Sequence, residues 1–439
     1  MSTEGVLRVR RLSLSVLGCA MPMLLAASLF LCGETLAADR DPLVKLLIKK
    51  GVITEEEVRG MEAELAAARV AEGKKVAEAK PAEKPTEEKP RVELANALSK
   101  LKMKGRWAAG YFKSQEGGSY PEGSFEVPEA KLQFAFQPDD TYAIVMRGNF
   151  NNAAFNSLDY LYVDASDPFK LPKGWLTTLN ARFGRFKLDF GEETWSNNPV
   201  ESALPSNSAG NVAGSDEGLQ LSGKVGKGWP AVTWATAVSN GSSGVSTDTT
   251  QAKAFTGKLG MNPIAPLLLS ASYHRTGSLK QQATEVGIAG LTGKPTGASN
   301  WRRSLWELDA RYDFKKGKTL TPAYTDSLAY LRGAYGAFND DVRDGAEREG
   351  DYGFVEGLLN VLPKVYLAAR YSRVDLDGRQ TASLNSVTAN SHERYSLGAG
   401  YRWSPNTIFK TEYSINRTTQ VTGGDPDDNQ AVVLIASQF

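Results

Sequence analysis

The stretch that decides the fold runs from Arg394 to Trp403 and reads RYSLGAGYRW. Tyrosine, leucine, alanine and tryptophan occupy every second position, and arginine, serine and glycine fill the positions between them. A period of two is typical of a β-strand whose two faces meet different surroundings. We therefore predict a strand that turns Leu397 toward an apolar medium and Arg394 and Arg402 toward water.

The same pattern repeats over residues 102–439, in segments of about 9–13 residues separated by turn residues. Sixteen segments are centred near Trp107, Leu132, Ile144, Tyr162, Ala181, Leu221, Trp234, Phe255, Ala271, Leu308, Leu331, Val355, Leu367, Leu397, Thr411 and Leu434. An even number of strands with apolar residues outward predicts an all-β fold, a 16-stranded antiparallel transmembrane β-barrel. Aromatic girdles are expected at the strand ends from Trp107, Tyr111, Trp301, Tyr401 and Trp403.

The connections between these segments alternate in length, which also favours an outer-membrane barrel. Short turns such as 138–140, 226–228, 315–317 and 404–406 alternate with longer polar loops such as 188–214, 278–300 and 376–391. Outer-membrane barrels have short periplasmic turns and longer extracellular loops. The prediction is a barrel in the Gram-negative outer membrane, in contact with its lipid and with both ends of the barrel chain in the periplasm.

The face opposite the apolar residues is predicted to line the lumen and to carry more cations than anions. Its basic residues are Lys104, Arg106, Lys131, Arg147, Arg182, Lys224, Lys258, Arg303, Arg311, Arg332, Lys364, Arg370, Arg394, Arg402 and Lys410. Its acidic residues are Glu129, Glu307, Asp309, Glu356 and Glu412. Such a lumen would concentrate small anions. The alternative is that these charges pair with one another and keep the lumen hydrated.

The third long loop, 188–214, has the opposite composition. It carries Asp189, Glu192, Glu193 and Glu201 and no lysine or arginine. If this loop folds into the barrel as a constriction, its carboxylates would face the basic wall and produce a transverse field. The sequence leaves open whether the wall or the loop governs permeation.

The N-terminal residues 1–37 predict a cleaved secretory signal peptide. Arg8, Arg10 and Arg11 precede a largely apolar run, and small residues before Ala38 suit cleavage. An uncleaved anchor and a lipidated Cys19 are the alternatives. Residues 38–70 then predict a short helical segment in the periplasm, either an isolated hairpin or a coiled coil between protomers. Residues 71–101 are rich in lysine, glutamate and proline and predict a linker and lead-in to the barrel.

Composition excludes several classes of function. Both cysteines, Cys19 and Cys32, lie in the signal segment, so the mature chain would lack disulfides and thiolate metal or haem ligands. Removal of residues 1–37 leaves 48 basic and 48 acidic side chains, which argues against nucleic acid as a partner. No cofactor is expected.

The sequence resembles the phosphate-selective porin O and P family in three short stretches. They are LIKKGVITEEE at 47–57, FGRFK at 183–187 leading to Phe190-Gly191, and SDEGLQLSG at 215–223. The terminal Phe439 is similar to the aromatic residue that the barrel assembly machinery recognises. The resemblance implies a homotrimer of sixteen-stranded barrels. The basic constriction on which the family's phosphate selectivity depends has no counterpart in the third loop.

A barrel of this kind could have two functions other than that of a diffusion channel. A barrel enzyme would need a histidine near a nucleophile or metal, and the chain has only His274 and His392, without an HExxH or GxSxG motif. We therefore expect no catalysis. The other rival is a barrel that sheathes a partner, such as a multihaem cytochrome in an electron conduit. The chain has no CxxCH motif, so the partner would bring the haem.

Overall fold

The structure is a computed structural model that describes Thr54 and residues 99–439, except 152–156, 169–175, 227–229, 243–251, 315–326, 379 and 421–422. The predicted signal peptide, helical segment and most of the linker lie outside the described residues. The described part of the chain contains no helix that is both long and apolar enough to cross a membrane.

Sixteen strands form one closed antiparallel barrel, as predicted. They are β1 (Leu101–Ser114), β2 (Ser124–Phe136), β3 (Tyr142–Asn149), β4 (Ser157–Ser166), β5 (Leu176–Lys187), β6 (Ser215–Val225), β7 (Val232–Ser239), β8 (Ala254–Ile264), β9 (Leu267–Arg275), β10 (Trp301–Asp313), β11 (Ala329–Val342), β12 (Arg348–Leu362), β13 (Val365–Leu376), β14 (Val387–Ser404), β15 (Thr407–Gln420) and β16 (Gln430–Gln438). Each strand pairs with the next, and β16 closes the ring by pairing with β1. All sixteen predicted centres fall inside these strands, so the prediction is confirmed.

The predicted alternation also sets the two faces of the wall. In β14, Leu397 is 66% exposed on the outside, while Ser396 is buried on the inside. The prediction that Trp301 belongs to an aromatic girdle is wrong, because Trp301 is buried inside the barrel. It packs with Leu279 and Val342 and donates a hydrogen bond to the carbonyl of Gln282. The strand end at Trp301 meets a loop that turns inward, so its environment is protein.

Most connections on the rim that carries the C-terminus are short, and we call this the turn rim. Two residues join β12 to β13 and two join β14 to β15. The predicted short turn at 315–317, between β10 and β11, lies outside the described residues. The opposite rim, which we call the loop rim, carries the long loop 188–214, named loop 3 below.

Three loops of the loop rim join in a small sheet. Val212–Ala213 of loop 3 pairs with Gly287–Ile288, which leads through Leu291–Thr292 to Ala382–Leu384 and then to β14. Since these loops follow β5, β9 and β13, the sheet ties distant parts of the wall together. We call it the cross-barrel sheet.

The buried apolar residues lie inside the barrel in two main clusters, and loop 3 contributes to both. The upper core, near the loop rim, contains Leu188 and Phe190 of loop 3 and several residues of the cross-barrel sheet. The lower core contains Val200 and Leu204 of loop 3. The wall makes room for the loop: a Cβ at Gly398 would collide with Leu204. Much of the barrel interior is therefore a packed protein core.

Candidate functional site

Loop 3 crosses the lumen from β5 to the far wall, and polar contacts hold it there. Its Ser196 accepts a hydrogen bond from Arg332 of β11. Its Asn198 donates one to the side chain of Gln438 at 2.8 Å, close to the C-terminus. Gln438 lies at the turn rim, so the loop reaches deep into the barrel.

A buried ion-pair network anchors the loop to β11, β12 and β13. Glu356 is fully buried between Arg332, at 2.7 Å, and Arg370, at 3.3 Å. Arg370 also approaches Glu193 of loop 3 at 3.6 Å and donates a hydrogen bond to the carbonyl of Ser206. Charges buried to this degree persist in proteins only when they are paired.

A second anchor lies on β15. Glu412 accepts hydrogen bonds from the amide and the hydroxyl of Ser206, at 2.8 and 2.6 Å. Lys410, which is 1% exposed, donates to the hydroxyl and the carbonyl of Ser202. Arg332, Arg370 and Lys410 thus face inward as the alternation requires, but they contact loop 3 rather than open water. Their predicted role as pore-lining cations needs this correction.

The predicted constriction carboxylates divide into two groups. Asp189 and Glu192 share Lys258 of β8, at 3.5 and 3.0 Å, and Glu193 is buried against Ser208 and Arg370. Glu201 lies apart from them and lines a cavity beside Arg106. Three of the four carboxylates therefore point away from β1–β5.

Two cavities lie along the wall of β1–β5 on the other side of loop 3, and we call them together the passage. The lower cavity, of about 580 Å³, is lined by Lys104, Arg106, Lys131, Arg147, Glu201 and Phe439, among others. The upper cavity, of about 330 Å³, is lined by the same Arg106, Lys131 and Arg147, with Lys187, Thr194 and Glu285. The two cavities share these three residues, which we call the cationic neck, so they lie next to each other along the wall.

The cationic neck is interleaved with two carboxylates. Arg106 forms an ion pair with Glu129, Lys131 lies 3.0 Å from Asp159, and Arg147 lies 3.2 Å from the same carboxylate. The Arg147 guanidinium also stacks over Tyr160, 3.7 Å from the ring centroid. These contacts fix the orientation of the cations and leave three positive groups against two negative ones.

Two carboxyl groups outside the wall strands, Glu201 and Glu285, also line the passage. Burial raises the pKa of Glu201, while Arg106, Arg402 and Lys410 oppose that effect. Burial raises the pKa of Glu285 to about 7, although Arg185 lies 3.7 Å away and favours the ionised form. Glu285 therefore titrates near neutral pH at the upper cavity.

Sequence reasoning missed Lys187 and Asp159 as lumen residues. Lys187 ends β5, where loop 3 begins and alternation no longer fixes direction; its ammonium lies 4.8 Å from the Trp195 ring centroid and donates to the carbonyl of Thr194. Asp159 lies where the β3–β4 register shifts next to Arg147. A one-residue shift reverses which face a side chain meets.

Five of the remaining predicted basic residues have individual partners. Arg182 lies 3.2 Å from Asp164 and stacks over Tyr162, Arg303 is buried 2.7 Å from Asp340, and Arg311 lies 2.9 Å from Asp313. Arg394 donates to Asn416, Arg402 donates to the carbonyl of Pro405, and Lys104 and Lys224 are exposed. The inward face carries a smaller excess of cations than predicted, because Asp159, Asp164, Asp313 and Asp340 pair with its arginines.

Phe439 and the histidines complete the predicted set. The backbone of Phe439 pairs with Gly105 through hydrogen bonds of 3.1 and 2.9 Å, and its ring is 64% exposed. His274 and His392 are buried, each with its Nδ1 against a threonine hydroxyl, of Thr256 and Thr418 respectively. Within the described ranges no three histidine, cysteine, aspartate or glutamate residues cluster as a metal site.

These features define the class of fold as a closed, sixteen-stranded, porin-type barrel with an inward-folded third loop. The chain is similar to the outer membrane channel DcaP of Acinetobacter baumannii, with a TM-score of 0.52, 11% identity and coverage of 77% of this chain and 97% of that chain. It is also similar to an anion-selective porin from Comamonas acidovorans, with a TM-score of 0.50, 12% identity and coverage of 77% and 99%. At such identities the likeness shows the fold. No protein-family model and no curated protein matches the sequence.

Proposed function

We propose that the chain is an outer-membrane channel through which small solutes diffuse passively, with a preference for anions. The observation that carries this proposal is the lining of the passage along β1–β5. Six basic residues line its two cavities, Lys104, Arg106, Lys131, Arg147, Arg185 and Lys187. Four acidic residues oppose them, Glu129, Asp159, Glu201 and Glu285.

The preference for anions follows from the position of these charges. A narrow aqueous path with low-dielectric walls focuses the field of its lining and raises the local concentration of counter-ions. Three of the four loop 3 carboxylates, Asp189, Glu192 and Glu193, pair with Lys258 and Arg370 instead of facing this passage. The neck cations, held by Glu129 and Asp159, would replace part of the hydration shell of a passing anion.

Phosphate selectivity and a homotrimeric assembly are narrower parts of the proposal. Both rest on the resemblance of the sequence to the phosphate-selective porins. Phosphate selectivity would show as inhibition of chloride current by phosphate at sub-millimolar concentration. A trimer would show in the mass of the detergent-solubilised protein.

The packed lumen argues against a sheath for a multihaem cytochrome. Such a partner needs an open interior, whereas loop 3 joins the upper and lower cores inside this barrel. The chain alone should give stepwise ionic conductance in a planar bilayer.

The test is the zero-current potential of the full chain in a planar bilayer across a potassium chloride gradient. Anion preference is expected, and it should weaken toward 1 M salt, where the screening length falls to about 3 Å. A preference for cations at low salt would refute the proposal.

A further inference from the structure

A third cavity lies on the other side of loop 3, away from the passage. Its volume is about 480 Å³, and it lies between the short helical turn Glu193–Ser196 and the wall formed by β7–β12. Sites for small molecules typically measure about 300–1,000 Å³. We call it the acidic cavity, because its charges differ from those of the passage.

Three carboxylates in the acidic cavity share one ammonium group. Asp189, Glu192 and Asp309 line it, and Lys258 is the cation they have in common. The Glu192 side chain remains 30% exposed and that of Asp189 25% exposed. Both carboxylates can therefore accept a further donor.

The other charged residues of this cavity are already paired. Arg311 lies 2.9 Å from Asp313, and Arg332 lies 2.7 Å from Glu356. Glu193 lies 3.6 Å from Arg370 and accepts hydrogen bonds from Ser208. Because these pairs neutralise themselves, the remaining charge of the cavity is negative.

The same cavity contains a large apolar surface beside the carboxylates. Trp195 is 40% exposed, and its indole nitrogen donates to Asp189 at 2.7 Å. Phe354 lines the opposite part of the cavity. An apolar ligand group that covers the indole would remove this surface from water, and burial of apolar surface favours binding.

We propose that the acidic cavity binds an organic ammonium ion that carries an apolar body. The ligand ammonium contacts the exposed sides of the Glu192 and Asp189 carboxylates, next to the Lys258 ammonium that bridges them, and the apolar body packs on the Trp195 ring. The Lys187 ammonium already lies 4.8 Å from the centre of the Trp195 ring and would repel a second cation there. The carboxylates, and not the ring face, therefore bind the charge of the ligand. The site differs from the anion passage in both its charge and its lining.

Equilibrium dialysis of the full chain in detergent tests the proposal, with 2-phenylethylammonium as the probe and 2-phenylethanol as its neutral counterpart. The native chain should bind the ammonium compound about tenfold more tightly than the alcohol, because hydrogen bonds between an ammonium group and a carboxylate are stronger than those of a neutral hydroxyl. Equal binding of the two probes by the native chain would overturn the proposal without any variant. Cation preference of the pore would refute the proposed function and leave this result unaffected.

Variants locate the site. Glu192→Gln should weaken binding of the ammonium probe about tenfold and leave binding of the alcohol unchanged. Trp195→Leu should weaken both. The matched control is Glu347→Gln, which removes an exposed carboxylate from the loop rim. An unchanged affinity in Glu192→Gln, or an equal loss in Glu347→Gln, contradicts the assignment of this site.

Discussion

The two sides of loop 3 meet walls of similar sequence but different chemistry. On β1–β5, Arg106, Lys131 and Arg147 line two cavities large enough to hold water. On β11–β15, Arg332, Arg370 and Lys410 are buried against the loop. The difference arises from where the acidic loop docks. An inward basic residue is therefore a channel residue only where the loop leaves it open to water.

The largest effect on the docking of loop 3 is expected from Glu356→Gln, which leaves Arg332 and Arg370 without their shared carboxylate. Loss of one partner from a buried ion pair costs about 3–5 kcal/mol. We expect loop 3 to detach from the wall and the single-channel conductance to rise. Glu349→Gln, on the same strand but at the loop rim, is the control. Unchanged conductance and denaturant midpoint in Glu356→Gln would show that the network does not hold the loop.

The apolar anchor of the loop should have a somewhat smaller effect. Leu204 is fully buried in the lower core, so Leu204→Ala should destabilise loop docking by about 2–5 kcal/mol. Limited proteolysis of the folded barrel would then cut loop 3 faster. Leu397→Ala, which removes an outward side chain, should leave the cleavage rate unchanged.

A charge reversal in the cationic neck tests whether the passage along β1–β5 determines the ion selectivity. Lys131→Glu places a carboxylate beside Glu129 and Asp159, so the anion-to-cation permeability ratio at low salt should fall about fivefold. The reversal potential across a salt gradient measures it. Arg302→Glu, on the outward face of β10, should leave the ratio as it is. Equal effects of the two variants would mean that the neck does not govern selectivity.

The smallest expected effect is a dependence of selectivity on pH. Burial raises the pKa of Glu285 to about 7, so its carboxylate becomes neutral as the pH falls from 8 to 6. Loss of a negative charge at the upper cavity should raise the preference for anions by less than about twofold. Glu285→Gln should diminish this change. A preference that falls on acidification would contradict the assignment.

The sequence predicted the barrel wall far better than the site. Alternation along strands such as β14 fixes which side chains face inward, because a strand buried on one face tolerates no slip of register. The alternation carries no information on what an inward residue meets. It therefore predicts the same surroundings for Arg303 and Arg106, although Arg303 is 1% exposed and Arg106 lines the passage. The side chains that Asp189 and Glu193 contact depend on the path of loop 3. That path is set by contacts with residues far away in the chain.

The cross-barrel sheet has a consequence for the order of assembly. It joins loops that follow β5, β9 and β13, and loop 3 further contacts Gln438, 240 positions beyond Asn198. Contacts between residues so distant in sequence form late, because the intervening chain must be ordered first. A newly closed barrel would thus be wide and leaky, and it would mature into a selective one only when its loops converge.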